Sequence, residues 1–161
     1  MTRRNNVTRF LDARQISFTA FELPAEKLGA TETARLLGVA PGIVFKTIVV
    51  VRENPKKPVL AVIPGPCQVD LKKIAKFLGE KKVSLPTERE AERLTGLQAG
   101  GISPLALLNK GFVVLFDLSV QQSEAVHISG GERGLNLKMA ARDLLALTQA
   151  RLADITQKAV V

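Results

Sequence analysis

The run IVFKTIVVV, residues 43–51, sets a single ammonium group, Lys46, among aliphatic and β-branched neighbours. Burying an unpaired charge is costly, so a partner, a solvent-filled cavity or a ligand has to offset it. In a strand, alternate side chains face opposite ways. Ile43, Phe45, Thr47, Val49 and Val51 then share one side, and Val44, Lys46, Ile48 and Val50 the other. A cation in a pocket wall can polarise a carbonyl or grip a phosphate. The same pattern also fits an inward-pointing lysine that guards an edge strand, or a stem that snorkels to solvent.

Two glycine pairs stand out beside it, in AGGISP (99–104) and SGGERGLNL (129–137). Gly100 and Gly101 let the backbone bend, approach a ligand closely and bare its amide N–H groups, and Pro104 sets the exit. A plain tight turn is the alternative. The second pair follows a predicted strand. It is not a phosphate-binding P-loop, because no Gly-Lys-Ser/Thr follows, and it lacks the dinucleotide fingerprint. Cys67 has no second cysteine for a metal site or a disulfide. His127 alternates with Val126 and Ile128 and reads as a strand histidine rather than a base. HExxH, GxSxG and carboxylate clusters are all missing, which disfavours metal hydrolysis and a serine triad.

These residues need elements to hold them. Val7, Phe10 and Leu11 have i, i+3, i+4 spacing and predict a short helix within 5–15, followed by a strand over 17–23. Thr31 is expected to cap a helix that ends at Gly38. The 43–51 run and VLAVIP (59–64) predict a hairpin across RENPKKP. Residues 70–82 predict a helix with Leu71, Ile74, Ala75 and Leu78 inward and Lys72, Lys73 and Lys76 on the opposite face. In TERE (87–90), Thr87 and Glu90 predict a reciprocal capping box for a helix reaching Gly96. Strands are expected over 112–116, 125–129 and 135–139, and a last helix over 140–149. Loops near 54–58 and 117–124 suit antiparallel neighbours. The expected fold is α+β: a mixed, largely antiparallel, β-barrel-like sheet flanked by helices.

With 161 residues, 46% hydrophobic and 24% charged, the chain reads as one soluble globular domain over 1–161. Seven Phe with no Trp or Tyr leave an aliphatic core. The lone cysteine fits a reducing, cytoplasmic setting, and neither a signal peptide nor a membrane span is predicted. The net charge of +8 favours a polyanionic partner, nucleic acid before acidic membrane.

Taken in order, VFKTIVV (44–50), TGLQAGGISP (95–104) and SGGERGL (129–135) resemble the YbaK/EbsC family of aminoacyl-tRNA deacylases, relatives of the editing domain of prolyl-tRNA synthetases. The resemblance implies hydrolysis of mischarged aminoacyl-tRNA, best known for Cys-tRNA(Pro), without a protein nucleophile, cofactor or metal. By matching position it implies Lys46 as the residue that polarises or positions the substrate, flanked by Phe45 and Thr47. It implies substrate contacts from Gly100, Gly101, Ile102, Ser103 and Pro104, and from Ser129, Gly130, Gly131 and Asn136. Lys72, Lys73 and Lys76 would meet tRNA phosphates, and prolyl-tRNA synthetase is a further expected partner. Leu23 and Leu28 stand near places where cysteine-type relatives carry aromatic residues, and Asn136 where an acid is common, so alanine or another small amino acid is an alternative substrate. A non-catalytic tRNA or synthetase adaptor, and a hydrolase using Cys67, are the competing readings.

Overall fold

The computed structural model describes residues 4–157. Helix α1 (Asn6–Ala13) starts at Asn5, whose side chain accepts from Thr8 N–H while Thr8 Oγ1 accepts from Asn5 N–H. Val7 and Leu11 are buried on its inner face, as their spacing predicts. Strand β1 (Phe18–Glu22) leads to α2 (Ala30–Leu37). Thr31 does not cap α2. Gly29 does, and Thr33 closes the first turn by giving its N–H and its hydroxyl to the Gly29 carbonyl, each at 3.0 Å. The chain is extended at Gly29 and helical from Ala30, so Thr31 already sits inside the first turn, where its side chain cannot cap it.

The predicted hairpin forms: β2 (Phe45–Val50) pairs antiparallel with β3 (Val59–Pro64), with Lys46 opposite Ile63. Helix α3 (Leu71–Leu78) is capped by Asp70 and stopped by Gly79 in the left-handed region. Helix α4 (Glu88–Thr95) is capped by Thr87, which accepts from Glu90 N–H at 3.1 Å. The Glu90 carboxylate takes the Arg93 guanidinium, a charge-assisted pair, and so only the forward half of the expected box is made. Then come β4 (Val113–Asp117), β5 (Ala125–Ser129), β6 (Leu135–Ala140), α5 (Ala141–Thr148) and a short β7 (Arg151–Ala153) that sequence reading missed. Three residues are too few to show alternation.

The strands form two sheets, β1-β6-β5 and β2-β3-β4-β7. The three-stranded sheet is antiparallel, whereas β3-β4 and β4-β7 are parallel. A bridge from Val44 to His127 joins the sheets without closing them, so the fold is mixed α+β but only loosely barrel-like. Residues 117–124 do not link neighbouring strands. A 3-10 turn over Leu118–Gln122 carries the chain from one sheet to the other, anchored by buried Asp117, which accepts from Ser119 N–H, Ser119 Oγ–H and Ile155 N–H. Between the sheets lies a core containing Phe45, Val49, Leu60, Val62, Phe116, Ile128 and Leu137. A second core, with Val50, Val59, Ala61 and Ile63 against Ile74 and Ala75 of α3, covers the other face of the four-stranded sheet. Every residue of β3 is buried, which is why its sequence has no polar alternation.

Candidate active site

Lys46 lies near the start of β2, an edge strand, in the row of Ile48 and Val50 rather than that of Phe45 and Val49. It is half-buried and has no hydrogen-bond or ion-pair partner among the described residues. Burial pushes its ammonium below the ordinary lysine value, and the Cys67 side chain opposes that only in part. Lys46 lines two cavities, of about 310 and about 510 Å³.

The smaller cavity lies against the β2 edge. Lys27, Leu28 and Thr33 form one side, Phe45 and Thr47 another, and Gly100, Ile102, Ser129 and Asn136 the rest. Leu23 also lines it. Of the expected substrate-contacting residues, Phe45, Thr47, Gly100, Ile102, Ser129 and Asn136 therefore meet around Lys46. The others do not line this cavity. Ser103 is fully buried and its Oγ accepts from Leu105 N–H, and Pro104 is buried beside it. Gly101, Gly130 and Gly131 pack the two loops together and against the core.

That packing explains the glycine pairs differently from bared amides. A Cβ on Gly101 would lie 2.8 Å from the Arg133 nitrogen and from Glu132 Cα, so the first loop presses directly on the backbone of the second. Gly101 N–H is bonded to Gln98 O, and Gly130 N–H to Leu135 O. Arg133 Nε donates to Ala99 O at 2.6 Å, and Asn5 Nδ2 donates to Gly130 O at 2.9 Å, tying the loops to each other and to α1. Sequence reading did not single out Lys27, Thr33 or Gly134 as cavity residues. Lys27 comes from an aperiodic segment, Thr33 from the first turns of α2 and Gly134 from a turn, and only the fold brings them together there.

Two polar groups shape the wall further. Thr47 Oγ1 is buried without a hydrogen-bond partner. His127, 1% exposed, places Nδ1 2.9 Å from Asn136 Oδ1, and an amide oxygen only accepts, so Nδ1 carries the proton. Asn136 thus has its NH₂ left to offer the cavity. Burial pushes His127 below the ordinary value, with the nearby Lys138 charge acting the same way and the Asn136 bond opposing. It stays neutral, held against Phe21, with Nε2 buried and unpartnered. Burial raises the Cys67 thiol, and Asp117 raises it further against the pull of Lys46. A thiol so placed is a poor nucleophile. Among the described residues no three His, Cys, Asp or Glu side chains stand together as a metal site would need. On α3, Lys73 is tied to Asp154 and the Thr156 carbonyl, which leaves Lys72 and Lys76 exposed and without a partner among the described residues.

The family model for the aminoacyl-tRNA editing domain matches residues 25–147, a span that includes Lys46 and both glycine loops. The chain belongs to the aminoacyl-tRNA editing domain family. An Enterococcus faecalis protein named "Putative Cys-tRNA(Pro)/Cys-tRNA(Cys) deacylase EbsC" is 36% identical over 157 residues, covering 96% of this chain and 94% of that one. A proline–tRNA ligase of Thermodesulfovibrio yellowstonii is 30% identical over 67% of this chain, which matches 18% of the ligase. A solved structure described as "a putative trans-editing enzyme for prolyl tRNA synthetase" superposes with a TM-score of 0.80 at 26% identity, over 97% of this editing domain and all of that chain. Within this editing domain, α1 and β1 lie outside the matched span, yet Asn5 of the α1 cap holds the second glycine loop. No helix among the described residues is long and apolar enough to cross a membrane.

Proposed function

We propose that this editing domain is a trans-editing hydrolase that deacylates mischarged aminoacyl-tRNA, with Cys-tRNA(Pro) as its first substrate. The observation that carries the reading is Lys46: a half-buried cation without a protein partner among the described residues, set where the β2 edge meets a small cavity walled by both glycine loops. An aminoacyl ester is already activated, so positioning and charge stabilisation suffice without a side-chain nucleophile. Water adds to the ester carbonyl, whose developing oxyanion the Lys46 ammonium stabilises. The bond from the acyl carbon to the ribose oxygen then breaks, the proton lost by water passes to that oxygen, and free amino acid and tRNA leave. Thr47 Oγ1 and the Asn136 amide supply polar contacts to the bound aminoacyl group. Size selects the amino acid, as in the second sieve of editing. Leu23 and Leu28 line the same cavity, which keeps alanine or another small residue as the alternative substrate.

The test is a deacylation assay on Cys-, Ala-, Pro- and Ser-charged tRNAs. Lys46→Ala is expected to lower the rate by about a hundredfold or more, the scale set by losing one preorganised oxyanion contact, with an unchanged melting temperature. Near-full activity in the variant removes Lys46 from the chemistry. Turnover of none of the four by the wild type favours an adaptor that binds tRNA or the synthetase instead.

A further inference from the structure

Lys46 faces a second cavity that deacylation by itself does not require. This one is the larger, about 510 Å³, and lies between β2 and the start of α3. Its walls are aliphatic in part, from Ile48, Ile63, Val69, Leu71 and Leu85, and polar in part, from Lys46, Asp70, Gln157 and Lys72, the last with no partner among the described residues. Leu85 is 53% exposed, an uncovered apolar side chain at a concave site. Gln68 also lines the cavity, and its side-chain amide makes no hydrogen bond among the described residues.

We propose that this second cavity binds the base of the tRNA's 3′-terminal nucleotide, while the smaller one takes the amino acid. The inference rests on the deacylase reading and follows from connectivity. The ester that Lys46 contacts joins an acyl group to a terminal ribose, and that ribose carries the adenine on its other side. A substrate with its ester at Lys46 must therefore send two groups in different directions. The site offers two spaces that share Lys46 and little else of their walls. The aliphatic lining suits the faces of a flat base, the Gln68 amide can both donate to and accept from a base edge, and the Lys72 ammonium suits the phosphate of the same nucleotide. The volume is within the range of small-ligand sites.

The experiment uses the full chain with methyl-labelled side chains and two probes. Adenosine 5′-monophosphate is titrated while the methyl signals are followed. Hydrolysis of the cysteinyl and alanyl esters of adenosine is compared with that of the same esters of methyl riboside, which lacks the base. The nucleotide is expected to shift the methyls of Ile48, Leu71 and Leu85. The adenosine ester should be favoured by about tenfold or more in kcat/KM, the worth of roughly one well-buried apolar contact. Leu85→Ala, a change at an exposed position that adds no charge to the cavity Lys46 lines, should weaken both the shifts and the preference while leaving riboside hydrolysis unchanged. Equal use of the two esters with no methyl shifts overturns the base cavity and leaves the deacylase reading intact. Shifts confined to Leu28 and Ile102 place the nucleotide in the smaller cavity and overturn it as well. Hydrolysis of neither ester, with the nucleotide still seated beside Leu85, sinks the deacylase reading and supports the cavity.

Discussion

Replacing Gly101 by alanine probes how the two glycine loops make a wall. The new Cβ would meet the Arg133 nitrogen, the Glu132 carbonyl carbon and Glu132 Cα, all at 2.8 Å. Carbon contacts settle near ~3.5–4.0 Å, so the loops must part by about 1 Å. All three obstacles are backbone, and the segment that bears them is pinned. Arg133 Nε is bonded to Ala99 O, and Asn5 Nδ2 is bonded both to Gly130 O and to Glu132 Oε1. No side-chain rotation relieves the overlap. Overpacking against a fixed neighbour costs about 1–3 kcal/mol. At roughly 2–4 °C per kcal/mol for a chain of this size, Gly101→Ala should melt about 2–12 °C below the wild type. Gly42→Ala is the control, since a Cβ there meets nothing within 4 Å and its φ is not left-handed. It should stay within about 0.5 kcal/mol. Thermal unfolding followed by circular dichroism reads the stability, and the deacylation rate reads the site, which should weaken as the wall opens. Wild-type melting in Gly101→Ala would show that the loops are not pressed together, and the account of both glycine pairs would fail with it.

Other outcomes follow from the same coordinates. His127 is the sole histidine, and burial holds its pKa below the ordinary 6.5. Between that folded value and 6.5 the unfolded chain binds a proton that the folded chain refuses, so His127 costs stability as pH falls below 6.5. Denaturant unfolding should show a loss from pH 6.5 toward 5 that His127→Phe removes; an identical slope in the variant refutes the buried neutral ring. Cys67→Ala should keep deacylation within about twofold, because a thiol whose ionisation burial opposes is no nucleophile. Loss of activity on alkylation of the wild type, matched by an inactive Cys67→Ala, would revive a cysteine mechanism.

Much of the molecule was legible in the chain because local rules governed it. The β2–β3 hairpin follows from two β-rich runs around a Pro-rich loop, α4 from Thr87 at its start and Gly96 at its end, and α3 from its apolar stripe, although Gly79 in the left-handed region stops that helix at Leu78, short of the expected 82. Lys46 was conspicuous for the same reason, a charge at an alternating position in an apolar run. What the sequence could not order was anything set by contacts between distant segments. It read 117–124 as a link between antiparallel neighbours, where the segment in fact crosses between sheets, and it held no trace of β7, whose three residues exist as a strand only because β4 has a free edge. The glycine pairs were visible, but their use was not. Alone, each reads as bare backbone for a ligand; in the fold, Gly101 is small because residues 132–133 occupy the space its side chain would need. The second cavity beside Lys46 likewise exists only because residues 68–72 and Leu85 close around its other side. Periodicity and capping act over a few residues and are written in order along the chain. Cavities and loop contacts depend on atoms far apart in sequence, so only the tertiary packing decides them.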